Sequence, residues 1–142
     1  MRKALRLGFL STVLAVLALA SCNLTAPTGD FNITVMVKTP AHPLYNVGSS
    51  IGYVVNGVEG APITLTRGQT YTFGVDSPGH PFYLSTNKDG GTGFPGEYTT
   101  GVTGSRTEFG LLTIITDANT PSTLYYDCGV HLDMGGTITV TP

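Results

Sequence analysis

The segment Tyr125-Tyr126-Asp127-Cys128-Gly129-Val130-His131-Leu132-Asp133-Met134-Gly135-Gly136 sets a thiol, an imidazole and a thioether at three-residue intervals. A second imidazole, His80, stands 48 residues before Cys128, behind Ser77-Pro78-Gly79. Two imidazole nitrogens and a thiolate in a trigonal plane, with a long, weak bond to a methionine sulfur, form a mononuclear copper site. Zinc takes four firm ligands, usually Cys, His or carboxylate, and rarely methionine. Met134 is therefore the member of the set that separates the two metals.

Ligands so far apart in sequence must be brought together by a scaffold, and the chain's periodicity says which kind. Phe31 to Val37 alternates apolar and mostly polar residues with period two, as a half-buried strand does. Similar signals predict strands over Ile51 to Val55, Ile63 to Thr66, Thr70 to Val75, Phe82 to Ser85, Tyr98 to Val102, Phe109 to Ile115, Thr123 to Cys128 and Thr137 to Thr141. Turn residues such as Asn56-Gly57, Arg67-Gly68, Pro78-Gly79 and Asp117-Ala118-Asn119 separate them. Short strands at this spacing predict an all-β antiparallel sandwich or barrel. The expected inward set is Ile33, Val35, Val37, Leu65, Tyr71, Phe73, Phe82, Leu84, Leu124, Tyr126, Ile138 and Val140. Cys128 shares the parity of Leu124 and Tyr126, so it is expected to point into one end of the sandwich with the following loop folded over it.

The N-terminus reads as a targeting segment. Met1-Arg2-Lys3-Ala4-Leu5-Arg6 is basic, and the largely apolar run Leu7 to Ala20 is short for a spanning helix. Leu19-Ala20-Ser21-Cys22 resembles the bacterial lipoprotein signal, in which the cysteine is acylated and becomes the new N-terminus. The alternative is ordinary secretion with cleavage elsewhere. The expected organisation is a signal peptide over 1–21, a lipidated tether over 22–29 and one domain over 30–142, exported and anchored at Cys22 on the periplasmic or cell-surface side of a bacterial membrane. Cys22 and Cys128 are the two cysteines. With lipid on one and metal on the other, none remains for a disulfide; a Cys22 to Cys128 bridge is the competing use. Loss of Arg2, Lys3 and Arg6 leaves four basic and nine acidic residues, a formal charge of −5. That balance argues against nucleic acid, which is bound chiefly through Lys and Arg.

Across the domain the pattern resembles the cupredoxin family, in its plastocyanin, pseudoazurin and amicyanin group, and Cys-x-x-His-x-x-Met has the short spacing of amicyanin. The specific part of the resemblance is His80 and the region from Tyr126 to Gly136. It implies a Greek-key sandwich holding one copper ion cycling between Cu(I) and Cu(II), with His80 and His131 as imidazole ligands, Cys128 as thiolate and Met134 as axial thioether. It further implies one-electron transfer by a monomer. The edge of His131 would be the port, within an apolar patch of Pro81, Leu84, Val130 and Leu132, offered to a redox partner such as a cytochrome or an oxidoreductase. Two residues depart from the family pattern. Pro81 replaces a residue that commonly donates its N–H to the thiolate, and proline has none. Val130 stands where relatives have proline, and its free N–H is expected to reach back to Cys128, so that Val130→Pro would lower the reduction potential.

Other candidates read as background. His42, between Ala41 and Pro43, is expected at the surface, and Asp127, Asp133 and Glu97 as solvated loop charges. Gly90-Gly91-Thr92-Gly93 lacks the Gly-Lys-Ser/Thr of a phosphate cradle and reads as a mobile turn. With three histidines, none in a His-x-His pair, the chain carries neither a multicopper cluster nor a nucleophilic triad, and is not expected to be an enzyme. The alternative function is a copper-binding or copper-delivery lipoprotein outside any redox chain; a metal-free adhesive or structural sandwich is a third.

Overall fold

A computed structural model of the chain describes residues 25–142. The expected signal peptide and Cys22 lie outside the described residues. Ten strands follow in order: β1 Phe31–Val37, β2 Ile51–Val55, β3 Val58–Glu59, β4 Ile63–Thr66, β5 Thr70–Asp76, β6 Phe82–Ser85, β7 Val102–Thr103, β8 Phe109–Ile115, β9 Thr123–Cys128 and β10 Gly136–Thr141. They form a six-stranded sheet ordered β3-β2-β1-β5-β8-β7 and a four-stranded sheet ordered β4-β10-β9-β6. From β3 to β7 each strand lies in the opposite sheet from its predecessor, so this is the expected sandwich with Greek-key crossovers. No helix among the described residues is long and apolar enough to cross a membrane.

The pairing is mixed where an antiparallel sandwich was expected. β1 runs parallel to β5, and β4 runs parallel to β10. The members of each pair are joined through strands in the opposite sheet instead of by a hairpin, which leaves them free to run in the same direction. Tyr98 to Val102 does not form a strand; its extended part is confined to Val102–Thr103, while the Tyr98 N–H donates to the Leu84 carbonyl at 2.8 Å. Conversely, β2 turns back into the short β3 through Asn56 (φ 50°) and Gly57 (φ 83°), the two positive angles of a type I′ hairpin.

Residues from both sheets build the core. Ile33, Leu65, Phe73, Phe82, Leu84, Leu124, Tyr126, Ile138 and Val140 are buried as expected, whereas Val37 is 66% exposed and Val35 and Tyr71 are only partly covered. Val37 pairs with Ile51 at the end of β1, where the chain leaves the sandwich. Ile63 and Val75 join the core on the faces already assigned through Leu65 and Phe73, and Tyr53, Leu112 and Ile114 join it from β2 and β8, whose inward faces had not been assigned. One register matters for function: Phe82 at the start of β6 pairs with Cys128 at the end of β9. The Gly129 N–H extends that ladder to the Pro81 carbonyl at 2.9 Å, which sets position 80 beside position 128.

Candidate metal centre

His80 is delivered by a tight turn. Its N–H donates to the Ser77 carbonyl at 2.9 Å across Pro78 and Gly79, and Gly79 has φ +78°. Proline then glycine at the two central positions is the chemistry of a type II turn. The His80 carbonyl accepts from the Tyr53 and Ser77 hydroxyls, each at 2.9 Å, and the Gly79 N–H donates to Glu108 Oε2 at 2.8 Å. Backbone and turn are thus fixed before any ligand is considered.

Cys128, His131 and Met134 come from the end of β9 and the loop returning to β10. Cys128 is fully buried and in no disulfide among the described residues, Met134 is fully buried in the same apolar cluster, and His131 is exposed. Cys128 Sγ lies 3.9 Å from His80 Nδ1 and 3.7 Å from His131 Nδ1. The two rings stand 4.8 Å apart between centroids. Burial holds the His80 imidazole below its ordinary pKa; the neighbouring His131 adds to this and Glu108 opposes it.

His80, Cys128 and His131 form a group of donors whose ligating atoms lie within 4.8 Å of one another, the sole such group among the described residues. With bonds of about 2.3 Å to sulfur and 2.1 Å to nitrogen, a trigonal angle separates S and N by about 3.8 Å and a tetrahedral one by about 3.6 Å. The observed 3.9 and 3.7 Å are separations that one metal ion shared by the sulfur and both nitrogens can bridge. A thiol, two imidazoles and a nearby buried thioether, with no carboxylate in the group, are donors suited to copper, and the site fits one copper ion. Asp133, the possible oxygen donor, stays outside it.

No protein-family model matches this chain, and no curated protein matches it. Among solved structures, reduced rusticyanin aligns over 78% of each chain at 17% identity with a TM-score of 0.40. A methionine-to-leucine variant of rusticyanin aligns over 78% of this chain and 76% of its own at 14% identity and 0.37. Likeness at this level assigns no activity to the chain. Copper is indicated by the chain's own donor atoms.

Five expectations about the surroundings are corrected. Leu84 is fully buried on β6 and cannot belong to a surface patch, whereas Val130 and Leu132, 44% and 53% exposed, flank His131, and Pro81 is half-buried. The Val130 N–H does not bond the Cys128 sulfur, and among the described residues no backbone N–H does. The stated ground for the Val130→Pro effect is therefore absent; the pinning bond in this stretch is the one from Gly129 to Pro81. Nor is Gly90-Gly91 free: the Gly91 N–H donates to the Cys128 carbonyl at 2.8 Å, and Gly90 bridges to Leu132. His42 is buried, its ring against Gly52 and Gly60, where a Cβ would come within 2.6 and 2.9 Å of it. Asp127 is buried beneath Gly90 and Gly135 with both oxygens unpartnered; burial, helped by Asp89 and Asp133, pushes its carboxyl up to about 7. Glu97 is a loop charge as expected, but it is largely covered and engaged by Arg106 at 2.6 Å.

Several supporting residues carried no signal in the sequence. The Phe94 ring lies against Gly129, where a Cβ would meet it at 2.0 Å, and it packs edge-on to Tyr83 with Arg106 stacked 4.2 Å from its centroid. Lys38 and Ser49 reach the ligand loop from the segment after β1, and Tyr53 reaches it from β2. All act across tertiary contacts that no local pattern encodes.

Proposed function

We propose that this chain is a one-electron carrier built around one copper ion held by His80, Cys128, His131 and Met134. Bound copper supplies a one-electron couple between its +1 and +2 states. The carrying observation is that the Cys128 sulfur stands within 3.9 Å of both Nδ1 atoms while the backbone around it is tied from several sides. The Cys128 carbonyl is held by Gly91, the Gly129 N–H by Pro81, the Leu132 carbonyl by Ser49 and the Met134 carbonyl by Tyr53. A loop tied in this way changes shape little between charge states, which keeps the cost of reorganisation low. Metal delivery asks for the opposite, a loop that opens to release its cargo.

His131 is the ligand that reaches solvent, with the apolar Val130 and Leu132 beside it. A small apolar surface around an exposed ligand suits the brief encounters of redox partners, whose interfaces bury less than about 1,200 Å². An acidic chain would be steered toward a basic partner such as a cytochrome. Export and acylation at Cys22 would hold the carrier at a bacterial membrane, and mass spectrometry of the membrane fraction tests that part directly.

The function is tested by adding one equivalent of Cu(II) to the purified domain, followed by voltammetry and challenge with a chelator. A reversible one-electron wave and slow loss of copper are expected. Rapid release without a reversible wave would replace the electron carrier with a copper-delivery protein.

A further inference from the structure

Lys38, directly after β1, is a lysine that the structure buries. Its Nζ donates to three backbone carbonyls: Leu44 at 3.1 Å, Val47 at 2.7 Å and Asp133 at 2.6 Å. An ammonium has three N–H donors and no acceptor, so these three carbonyls use its full capacity. The ion pairs among the described residues are Lys88 with Asp89 and Arg106 with Glu97; Lys38 belongs to neither. A buried charge is costly unless its donors are satisfied, and here backbone alone satisfies them.

The third acceptor matters most. The Asp133 carbonyl belongs to the peptide unit that leads into Met134. Asp133 has φ +57°, a left-handed conformation that a non-glycine residue keeps only when its surroundings hold it. Its N–H donates to the Asp89 carbonyl at 2.8 Å, its carbonyl is held by Lys38, and the next carbonyl, that of Met134, is held by the Tyr53 N–H at 2.8 Å. Of these three ties, Lys38 supplies the one made by a side chain. That side chain also gathers the 39–49 segment beneath the ligand loop, where the Ser49 N–H donates to the Leu132 carbonyl at 3.0 Å.

We infer that Lys38 is the positioning residue for Met134: its ammonium holds Asp133 in the left-handed conformation and thereby sets where Met134 stands relative to Cys128. This rests on the copper reading above. Without the ammonium, one of the three ties on this stretch is lost and Asp133 can relax toward negative φ, which moves Met134 while the His80, Cys128 and His131 ties remain.

The test uses the full chain as Lys38→Met, Lys38→Gln and, as a control in the same turn, Thr39→Ala. Thr39 binds Glu59 at 2.6 Å through its hydroxyl and makes no tie to Asp133. In metal-free protein, amide exchange at Tyr53 and Asp133 should quicken in Lys38→Met and remain near wild type in Thr39→Ala. After loading with one equivalent of Cu(II), Lys38→Met should change the intensity ratio of the two thiolate-to-copper absorption bands and weaken copper binding about tenfold or more, as loss of an outer-layer partner does. Lys38→Gln, with two donors in place of three, should fall between. Should Lys38→Met fail to fold, Lys38→Gln decides. A wild-type band ratio in either folded Lys38 variant would overturn the inference, even if melting temperature falls. Absence of any thiolate band in wild-type protein would instead overturn the copper reading itself, and this inference with it.

Discussion

Asp127 is a side chain that departs from ordinary solvated behaviour. Its parity on β9 points it away from the core, yet the loops carrying Gly90 and Gly135 close over it, and its carboxyl is pushed up to about 7. The folded chain holds this proton more tightly than the unfolded chain, whose Asp value is 3.8. Its contribution to stability is therefore complete below about pH 3.8 and lost as pH rises through about 7. At 1.36 kcal/mol per unit, the loss is at most about 4 kcal/mol. Asp30 and Glu59, held low by bonds from Thr72 and Thr39, work in the reverse sense and lose their contribution as pH falls. Comparing metal-free wild type with Asp127→Asn by denaturant titration at several pH values isolates the first effect. The stability difference should shift in favour of Asn between pH 5 and pH 8, and parallel profiles would refute it. Tyr53→Phe is a milder change. It removes one of two donors to the His80 carbonyl and should cost about 1 kcal/mol in a denaturant melt, because the Ser77 hydroxyl remains.

Between the elements, close approach as well as hydrogen bonding limits the ligand loop. A Cβ at Gly135 would stand 1.6 Å from the Tyr126 carbonyl oxygen, a backbone atom that cannot swing aside. Gly135→Ala should therefore cost roughly 3 kcal/mol and disturb Met134, read as a lower melting temperature together with a changed copper spectrum. The strands that position the ligands were legible in the sequence because their signal is local. Phe82 to Ser85 and Thr123 to Cys128 were placed by alternation and turn residues, and Cys128 faces inward as its parity required. His80 could be read from its Pro-Gly turn. What lay outside sequence reasoning was long-range: the parallel β1–β5 and β4–β10 pairs, the burial of His42 against two glycines, and the reach of Lys38 to Asp133 across 95 residues. Leu84 was placed inward by its parity with Phe82, and the structure buries it; its place in the surface patch came from the family resemblance and conflicted with that parity.

Over the whole molecule, one end of the sandwich holds the donors and a formal charge of −5 is spread over residues 22 to 142. Two copies meeting through the His131 end repel one another, so self-exchange between reduced and oxidised copper-loaded protein should quicken as salt screens the charge. Line broadening in mixed samples at low and high ionic strength measures this, and a rate that falls with added salt would contradict it. Leu132→Asp, at the exposed flank of His131, should slow the same exchange while leaving the copper spectrum in place. Each of these outcomes depends on one metal held between a sulfur and two ring nitrogens. The most direct test is paramagnetic resonance and visible absorption of wild-type and Cys128→Ser protein after one equivalent of Cu(II). A strong thiolate-to-copper band with narrow hyperfine splitting at one ion per chain, lost in Cys128→Ser, is the expected result; an ordinary tetragonal Cu(II) spectrum, the same in both proteins, would contradict it.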